Sequence, residues 1–262
     1  MKLVSLNTWG GKIFEPLINF IKQQSSSTNL FWFQEIYNTS SDIKQYKNLI
    51  RANLLNEIKK ILDNYQVFFF KIMEGYDDEA NTVNFDLPHG PVIFVKNSIV
   101  INEHQDYFIF KADSNKPPKK DFSNLSTPLQ YMSFNLNGKE ISIFNFHGTP
   151  SPANKLDSES RLQQAKKVRE IMDSKSGSKI IVGDFNLLPQ TKSIEIIGQG
   201  MRNLIAEFNI VRTRSSLSPF FGKKEFQKFA DYTFVTPDIK VLDFKVLEIE
   251  ISDHLPMILE FD

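Results

Sequence analysis

The sequence contains no cysteine and only four histidines. The missing thiols exclude a disulfide framework, a thiolate metal site and a cysteine nucleophile, and the scarcity of histidine disfavours a zinc enzyme. No apolar run approaches the roughly 18 residues that a membrane-spanning helix needs. The first residues turn polar too early for a signal peptide. We therefore expect a cytoplasmic protein without an integral membrane segment.

Neither sign of charge is in excess, because 31 Lys and Arg residues balance 31 Asp and Glu residues. This balance disfavours a domain whose whole surface binds nucleic acid, although it leaves room for a local basic patch. The length of 262 residues and the hydrophobic content of 41% fit one folded domain over residues 1–262. No linker, repeat or low-complexity tract divides the chain. Nothing marks an interface between copies, so a monomer is the expected state.

Short apolar runs recur along the chain, and many are β-branched or aromatic. They predict strands at residues 3–6, 30–33, 67–73, 92–95, 99–101, 129–136, 140–146, 180–182, 232–235, 241–249 and 257–261. Helical spacing predicts helices at residues 15–24, 51–63 and 158–174, the last with Asp157 or Ser158 as N-cap, and a short helix near 193–197. Asn137-Gly138 predicts an antiparallel hairpin. The pattern favours mixed sheets with helices outside them over a doubly wound parallel sheet.

Polar stretches at residues 74–90, 112–127 and 212–228 predict long loops, and loops longer than about 12–15 residues are often functional. The last loop interleaves cations with aromatic rings: Arg212, Arg214, Lys223, Lys224 and Lys228 with Phe220, Phe221, Phe226 and Phe229. It is either a solvated loop anchored by its rings, or a surface that binds phosphate through Arg212 or Arg214 and stacks bases on Phe220 or Phe221. A weaker basic patch comprises Lys116, Lys119 and Lys120.

Polar side chains of catalytic type appear where the predicted strands end. Asn7 closes the first apolar run, and Glu35 follows the second. Taken alone, Asn7 is typical of a turn. Glu35 is either a solvent-facing charge at a strand end or a ligand for a hard cation, because an unpaired carboxylate would be costly to bury there.

Two later strand ends carry residues of the same kind. His147 follows the run at residues 140–146, and Asp184 and Asn186 follow the run at 180–182. Residues two positions apart on an extended segment share a face. Asp184 and Asn186 therefore form either an Asx-type turn or a site for a metal or a phosphate. Active sites of layered α/β folds are built from such strand ends.

The last polar cluster pairs acids with a histidine. Asp231 opens the run at residues 232–235, and Asp253-His254 precedes the final run. A carboxylate beside a histidine fixes its tautomer and raises its basicity, as a general base requires. Asp231 and Asp253 are both candidates for orienting His254, and their spacing in the sequence does not choose between them.

Taken in order, these residues resemble the motifs of the endonuclease/exonuclease/phosphatase superfamily. The matching segments cover nearly the whole chain: Leu6-Asn7-Thr8-Trp9, Phe33-Gln34-Glu35, Asn145-Phe146-His147, Arg161-Leu162-Gln163-Gln164, Gly183-Asp184-Phe185-Asn186, Asp231-Tyr232-Thr233-Phe234 and Ser252-Asp253-His254. The resemblance implies an α/β (α+β) fold, namely a four-layer α/β/β/α sandwich of two mixed sheets flanked by helices. It also implies a single catalytic domain.

The resemblance further implies a divalent cation, Mg²⁺ or alternatively Mn²⁺, bound by Glu35 with Asn7 close by, and an Asp253 that assists either the metal or the histidine network. Mg²⁺ keeps several waters and takes only one or two carboxylates, so a sparse set of ligands is expected.

In the same resemblance, His254 is the general base and Asp231 holds it in place. Asp184 and Asn186 orient the nucleophilic water and the phosphate, and His147 donates a hydrogen bond to a non-bridging phosphate oxygen. Such a site hydrolyses phosphoesters, with the positioned base contributing roughly 10²- to 10⁴-fold to the rate.

The expected activity is a phosphodiesterase acting on nucleic acid, because the basic aromatic loop should reach the site. The alternative is a phosphoesterase for lipid headgroups or small phosphates. It is suggested by the balanced charge and by Leu6-Asn7-Thr8-Trp9-Gly10, which is similar to sphingomyelinase-type members. A non-catalytic binding module ranks last, since competent residues occupy every catalytic-type position.

Overall fold

The computed structural model describes residues 1–110, 119–120 and 122–262. Within these residues the chain forms twelve strands: β1 (Lys2–Asn7), β2 (Leu30–Tyr37), β3 (Tyr65–Phe69), β4 (His89–Lys96), β5 (Ile101–Phe110), β6 (Thr127–Leu136), β7 (Lys139–His147), β8 (Ser178–Asp184), β9 (Arg202–Asn203), β10 (Asp231–Val235), β11 (Val241–Val246) and β12 (Met257–Phe261). The same residues form five α-helices: α1 (Phe14–Ser25), α2 (Leu54–Ile61), α3 (Glu159–Ser174), α4 (Lys192–Ile197) and α5 (Leu204–Glu207). None of the described helices combines the length and apolar character needed to cross a membrane.

The strands form two six-stranded sheets, with orders β11-β12-β1-β2-β4-β3 and β5-β6-β7-β8-β10-β9. Each sheet is mixed, because β1–β2 and β7–β8 are parallel pairs among antiparallel neighbours. Leu17 of α1 and Leu54 of α2 pack against the first sheet, and Val168 of α3 packs against the second. The predicted four-layer sandwich is confirmed.

The centre of the first sheet joins distant parts of the chain. Strand β1 lies between β2, with Leu3 opposite Leu30, and β12, with Leu3 also opposite Leu259. The sheet is therefore complete only when residues 257–261 are in place beside β1.

A chain of buried amides connects the two sheets. Gln34 of β2 donates from Nε2 to Asn145 Oδ1 of β7 at 2.6 Å, and Asn145 Nδ2 donates to Gln130 Oε1 of β6 at 3.2 Å. Gln130 Nε2 then donates to the Phe68 carbonyl of β3 at 3.1 Å. Burying an amide costs free energy unless it is hydrogen-bonded, so these hydrogen bonds fix the position of one sheet relative to the other.

The strand predicted at residues 99–101 proved wrong in extent, because the observed strand β5 runs from Ile101 to Phe110. It lies at a sheet edge and is only partly buried. A partly solvated edge strand keeps polar residues, so it lacks the apolar run that marks a buried strand. The runs predicted to end at 73 and 249 stop earlier, at Phe69 and Val246.

The helix predicted at residues 51–63 covers only Leu54–Ile61. Arg51 instead donates its backbone N–H to the Gly10 carbonyl at 2.9 Å, which holds it outside the helix. Ser158 is the N-cap of α3, since its side chain accepts from the Arg161 N–H. Asp157, the other candidate, accepts from the N–H of Lys192 at 2.6 Å and so supports α4. Lys116 of the second basic patch lies outside the described residues, as does part of the loop predicted at 112–127.

Four aromatic rings pack beneath the end of β8. Phe185 lies 5.2 Å from Phe146, 5.3 Å from Tyr232 and 5.9 Å from Phe234, measured between ring centroids. Gly183 precedes this cluster with φ +137°, and a Cβ there would lie 2.1 Å from the Phe146 carbonyl oxygen. Only glycine permits this close approach of β8 to Phe146, and the aromatic cluster that packs beneath holds the end of β8 in position.

Tyr37 and His89 face each other across β2 and β4, with ring centroids 4.5 Å apart. His89 is buried, and among the described residues its Nδ1 has no hydrogen-bond partner. Burial lowers the pKa of His89 to about 3, and nearby His147 adds to the shift. The imidazole is therefore neutral in the folded protein at physiological pH.

We expect Phe185→Ala to lower the free energy of unfolding by about 3–5 kcal/mol, because it empties the centre of the aromatic cluster. Urea denaturation monitored by circular dichroism measures this change. Val100→Ala is the control, since Val100 is 80% exposed and its loss should change stability by less than about 0.5 kcal/mol. Equal effects of the two substitutions would contradict the packing described.

We expect His89→Phe to reduce the sensitivity of the fold to acid. Below pH 6.5 the unfolded chain binds a proton at His89 that the folded protein rejects, so stability falls as pH falls towards about 3. Between pH 7 and pH 5 the unfolding free energy of the wild-type protein should fall by about 2 kcal/mol more than that of the variant. Urea titrations at both pH values test this, and parallel changes in the two proteins would refute it.

Candidate active site

The sheets bring the polar strand ends together at one edge of the sandwich. His147 ends β7 directly opposite Asp184, which ends the parallel strand β8. Asp231 begins the antiparallel strand β10, also opposite Asp184. Asn7 ends β1, and its Nδ2 donates to Asp184 Oδ2 at 3.0 Å across the two sheets. Residues that are far apart in sequence thus meet around one buried carboxylate.

Glu35 reaches this group through an irregularity in β2. The register between β2 and β4 shifts between Phe33 and Ile36, and Glu35 has φ +58°. Such bulges re-aim a side chain, and here Glu35 Oε1 accepts from Asn7 Nδ2 at 2.9 Å. The sequence-based alternative of a solvent-facing strand-end charge therefore does not describe the partly buried Glu35.

Glu35, His147 and Asp184 form a group that could hold a cation. Their ligand atoms all lie within 4.8 Å of one another. His147 Nε2 is 3.7 Å from Glu35 Oε1 and 3.9 Å from Asp184 Oδ2. Two carboxylates this close repel each other unless a positive charge joins them, and oxygen donors suit hard divalent cations. The residues present therefore fit a divalent cation. They include His147, which was expected from the sequence to donate a hydrogen bond to a phosphate oxygen.

Asn7 lies beside this group, as expected, and bridges its two carboxylates. Its Nδ2 donates to both Glu35 and Asp184, while its Oδ1 accepts from the Trp9 N–H at 3.0 Å. The amide oxygen is therefore engaged with the backbone. In this arrangement Asn7 positions the two carboxylates.

Asp184 is buried and well supplied with donors. Besides Asn7, it accepts from the Asn186 N–H at 2.9 Å and from Asn186 Nδ2 at 3.3 Å. Burial alone would raise the pKa of Asp184. His254, which becomes positively charged in the acidic range where a carboxyl titrates, and then Lys155 lower this pKa below its usual value. Asp184 is thus a permanent carboxylate at the centre of the site.

His254 and Asp231 form a buried pair. His254 Nδ1 lies 2.9 Å from both carboxylate oxygens of Asp231. Arg214 Nη1 lies 2.6 Å from His254 Nε2, and a guanidinium can only donate. Nε2 must therefore carry the lone pair, and Nδ1 must carry the proton that Asp231 accepts. Of the two orienting candidates, Asp231 is the one that contacts Nδ1.

Burial favours the neutral form of both members of this pair. Burial, followed by Arg214, lowers the pKa of His254 to about 4. Burial, followed by the nearby Asp184 carboxylate, raises the pKa of Asp231. The imidazole is therefore unprotonated at Nε2 at neutral pH, which is the state that a general base requires.

Asp253 lies beside this pair and faces a cation of the protein itself. Arg214 Nη2 donates to Asp253 Oδ2 at 2.5 Å, and Asp253 Oδ1 is 3.8 Å from His254 Nε2. Two groups in the described part of the chain could hold a metal, namely Glu35, His147 and Asp184, and Asp184, Asp231 and His254. Asp253 belongs to neither. Asp253, for which a place near the metal was expected, thus forms an ion pair with Arg214 in this structure.

A cavity of about 330 Å³ opens over these groups. Arg214, Phe220 and Asn186, all expected to contact substrate, line it. Arg212 does not line it, since its guanidinium pairs with Glu248 and lies 5.1 Å from the ring of Phe221. The wall also contains residues that the sequence analysis did not identify: Trp9, Tyr37, Met73, His89, Lys155 and Gln227. For most of them the sequence offered no signal beyond their position near a motif.

The chain matches the model of the Endonuclease/Exonuclease/phosphatase family over residues 4–254. No protein in a curated set matches it. Among solved structures it resembles an endonuclease/exonuclease/phosphatase family protein from Leptotrichia buccalis C-1013-b, with a TM-score of 0.73, 15% identity and coverage of 100% of this chain and 99% of that chain.

Two further solved structures share the fold. The mannosyl-6-phosphatase of Bacteroides thetaiotaomicron VPI-5482 has a TM-score of 0.70 at 18% identity, covering 100% of this chain and 99% of that chain. The human Nocturnin catalytic domain with bound sulfate anion has a TM-score of 0.66 at 13% identity, covering 100% and 93%. These identities are low, so the structures show the fold alone. Because the family model spans nearly the whole sequence, the chain belongs to the Endonuclease/Exonuclease/phosphatase family.

Proposed function

We propose that the protein is a divalent-metal-dependent phosphoesterase that hydrolyses a P–O bond with a water activated by His254. Proteins of this family are hydrolases acting on phosphoesters. The supporting observation is that a neutral His254, oriented by Asp231, lies beside the cation-holding group. His254 Nε2 is 3.6 Å from Asp184 Oδ2, the carboxylate that both groups share.

Glu35, Asp184 and His147 are the proposed ligands of the cation, and Mg²⁺ is the proposed ion with Mn²⁺ as the alternative. When bound, such a cation polarises a phosphoryl oxygen and offsets the charge that develops on it. Asn7 and the Asn186 N–H keep Asp184 fixed. Preorganised dipoles and charges of this kind lower a barrier because they need not rearrange during the reaction.

His254 accepts the proton of the attacking water at Nε2, and Asp231 stabilises the imidazolium that results. The single lone pair of Nε2 is occupied by Arg214 before substrate binds. A phosphate oxygen is a stronger partner for a guanidinium than a neutral imidazole is. Arg214 therefore turns to the bound phosphate, and the water takes its place at Nε2.

A compact phosphoester is the substrate class that the geometry supports best. The cavity is small, and the molecule has a formal charge of zero. Most cations of the loop at residues 212–228 do not line it; Arg212 pairs with Glu248, and Lys223 Nζ donates to the Pro219 carbonyl at 2.8 Å. The mannosyl-6-phosphatase with the same fold supports this choice. Nucleic acid is the second candidate, favoured by Arg214 and Phe220 in the cavity wall.

We expect Glu35→Ala to abolish hydrolysis, because it removes a carboxylate from the proposed cation site. The assay offers p-nitrophenyl phosphate, bis(p-nitrophenyl) phosphate, plasmid DNA and a labelled RNA oligonucleotide in Mg²⁺, with and without EDTA. Glu15→Ala is the matched control, since Glu15 is exposed on α1. Turnover restricted to the small esters supports the first substrate class, and cleavage of DNA or RNA supports the second. Full activity of Glu35→Ala, or activity in EDTA, would refute the proposed mechanism.

We expect Asp231→Asn to lower kcat by about 10²- to 10⁴-fold, the usual contribution of a positioned base. The neutral amide cannot stabilise the imidazolium as a carboxylate does, whereas substrate contacts persist, so KM should change little. Steady-state kinetics measures both constants, and circular dichroism reports the fold. Asp63→Asn, at an exposed carboxylate, serves as the reference, and a kcat equal to that reference would rule out His254 as the base.

A further inference from the structure

One lysine in the cavity wall has no part in the chemistry above. Lys155 lies between β7 and α3, and its ammonium donates to Asn186 Oδ1. The other end of that amide, Nδ2, donates to Asp184 Oδ2 at 3.3 Å. Asn186 thus connects the ammonium of Lys155 to the carboxylate of Asp184, which lies beside both His254 and the proposed cation site.

The backbone holds Lys155 in an unusual conformation. Its φ is +56°, in the left-handed region that few residues other than glycine adopt. Its carbonyl accepts from the Leu188 N–H at 2.9 Å, and its N–H donates to the Pro152 carbonyl at 3.3 Å. Backbone strain of this kind persists only where the surroundings enforce it, and it clusters at functional sites.

Arg161 fixes the segment that carries Lys155. Its buried guanidinium donates to the carbonyls of Leu156 and Pro152, both at 2.7 Å, and to those of Thr149 and Pro150, both at 3.3 Å. The guanidinium is therefore used to hold a loop in shape. The ammonium of Lys155 is presented to the cavity by a rigid support, which limits the entropy lost when it binds a ligand.

The charge of Lys155 is not matched by an adjacent acid. Its hydrogen bond is to a neutral amide oxygen, and Asp184 and Asp231 attract the ammonium without an ion pair within 4.0 Å among the residues that the structure describes. Arg214, the guanidinium in the same wall, is already paired with Asp253. Burial lowers the pKa of Lys155, although the nearby Asp184 opposes the shift. An anion brought into the cavity would therefore find a desolvated cation that no carboxylate contacts directly.

We propose that Lys155 binds a non-bridging oxygen of the scissile phosphoryl group and makes the site prefer phosphomonoesters to phosphodiesters. The proposal rests on the phosphoesterase function proposed above and names its substrate class. A monoester carries a charge of about −1.5 to −2 at pH 7, whereas a diester carries only one negative charge. The carboxylates of the site balance the proposed divalent cation, Arg214 turns to one phosphate oxygen, and Lys155 supplies the positive charge that the second negative charge requires.

The kinetic test compares the kcat/KM of p-nitrophenyl phosphate with that of bis(p-nitrophenyl) phosphate. Lys155→Met keeps the length of the side chain and removes its charge. It should lower kcat/KM for the monoester by about 10- to 100-fold, the value of one charge-assisted hydrogen bond, and for the diester by much less. Lys155→Arg should restore most of the preference, and Lys166→Met, at an exposed lysine of α3, should match wild type. Equal losses on both esters would show a structural role and overturn the proposal.

A binding test separates this proposal from the proposed function. Calorimetry with inorganic phosphate in Mg²⁺ requires no turnover. Lys155→Met should bind phosphate about 10- to 100-fold more weakly than wild type and Lys166→Met, while Lys155→Arg stays within a few-fold of them. Unchanged affinity in Lys155→Met overturns the role of Lys155 even if the enzyme is a phosphoesterase. Weakened binding without any hydrolysis by wild type would support Lys155 as a phosphate ligand and reject the function.

Discussion

Negative charge gathered in a space largely closed to water is the constraint to which the rest of the site responds. Glu35, Asp184, Asp231 and Asp253 converge at one edge of the sandwich, and Asp184 and Asp231 are almost completely buried. A buried carboxylate without partners is prohibitively costly. Asn7, Asn186, His254 and Arg214 each donate hydrogen bonds to these carboxylates. The repulsion that remains between Glu35 and Asp184 is what makes the group fit a divalent cation.

The backbone around the cavity accommodates this crowding by leaving regular geometry. Trp9, Glu35, Lys155 and Asn186 all have φ between +52° and +58°. Each such residue costs of order 1–3 kcal/mol, and the regular sheets beneath supply the stability that tolerates it. Strained turns and a bulge therefore set the directions of the polar side chains, while the ends of the rigid strands set their positions in the sandwich.

The sequence predicted the layered fold and most members of the candidate site, because strand ends followed by Asn, Asp or His are visible in it. The orienting partner of His254 was not predictable, since Asp231 and Asp253 are both close to it in three dimensions and only geometry gives Nδ1 to Asp231. Arg212 and Arg214 looked equivalent as well. Residues two positions apart on an extended segment lie on the same face, so the alternation of side chains does not distinguish Arg212 from Arg214. Their ion-pair partners do, because Arg212 binds Glu248 and Arg214 binds Asp253. Lys155 carries no local signal, because its placement depends on four carbonyl bonds made by Arg161.

The place of β12 in the first sheet links the site to the order in which the protein is made. Strand β1 is synthesised long before β12, yet one of its edges pairs with residues 257–261. Until those residues emerge, that edge is open and prone to pair with other chains, and contacts of such long sequence separation form slowly. His254 lies three residues before β12, so it reaches Asp231 only as the sheet closes. The contact between His254 and Asp231, on which the proposed mechanism depends, therefore forms only together with the strand pairing that closes the first sheet.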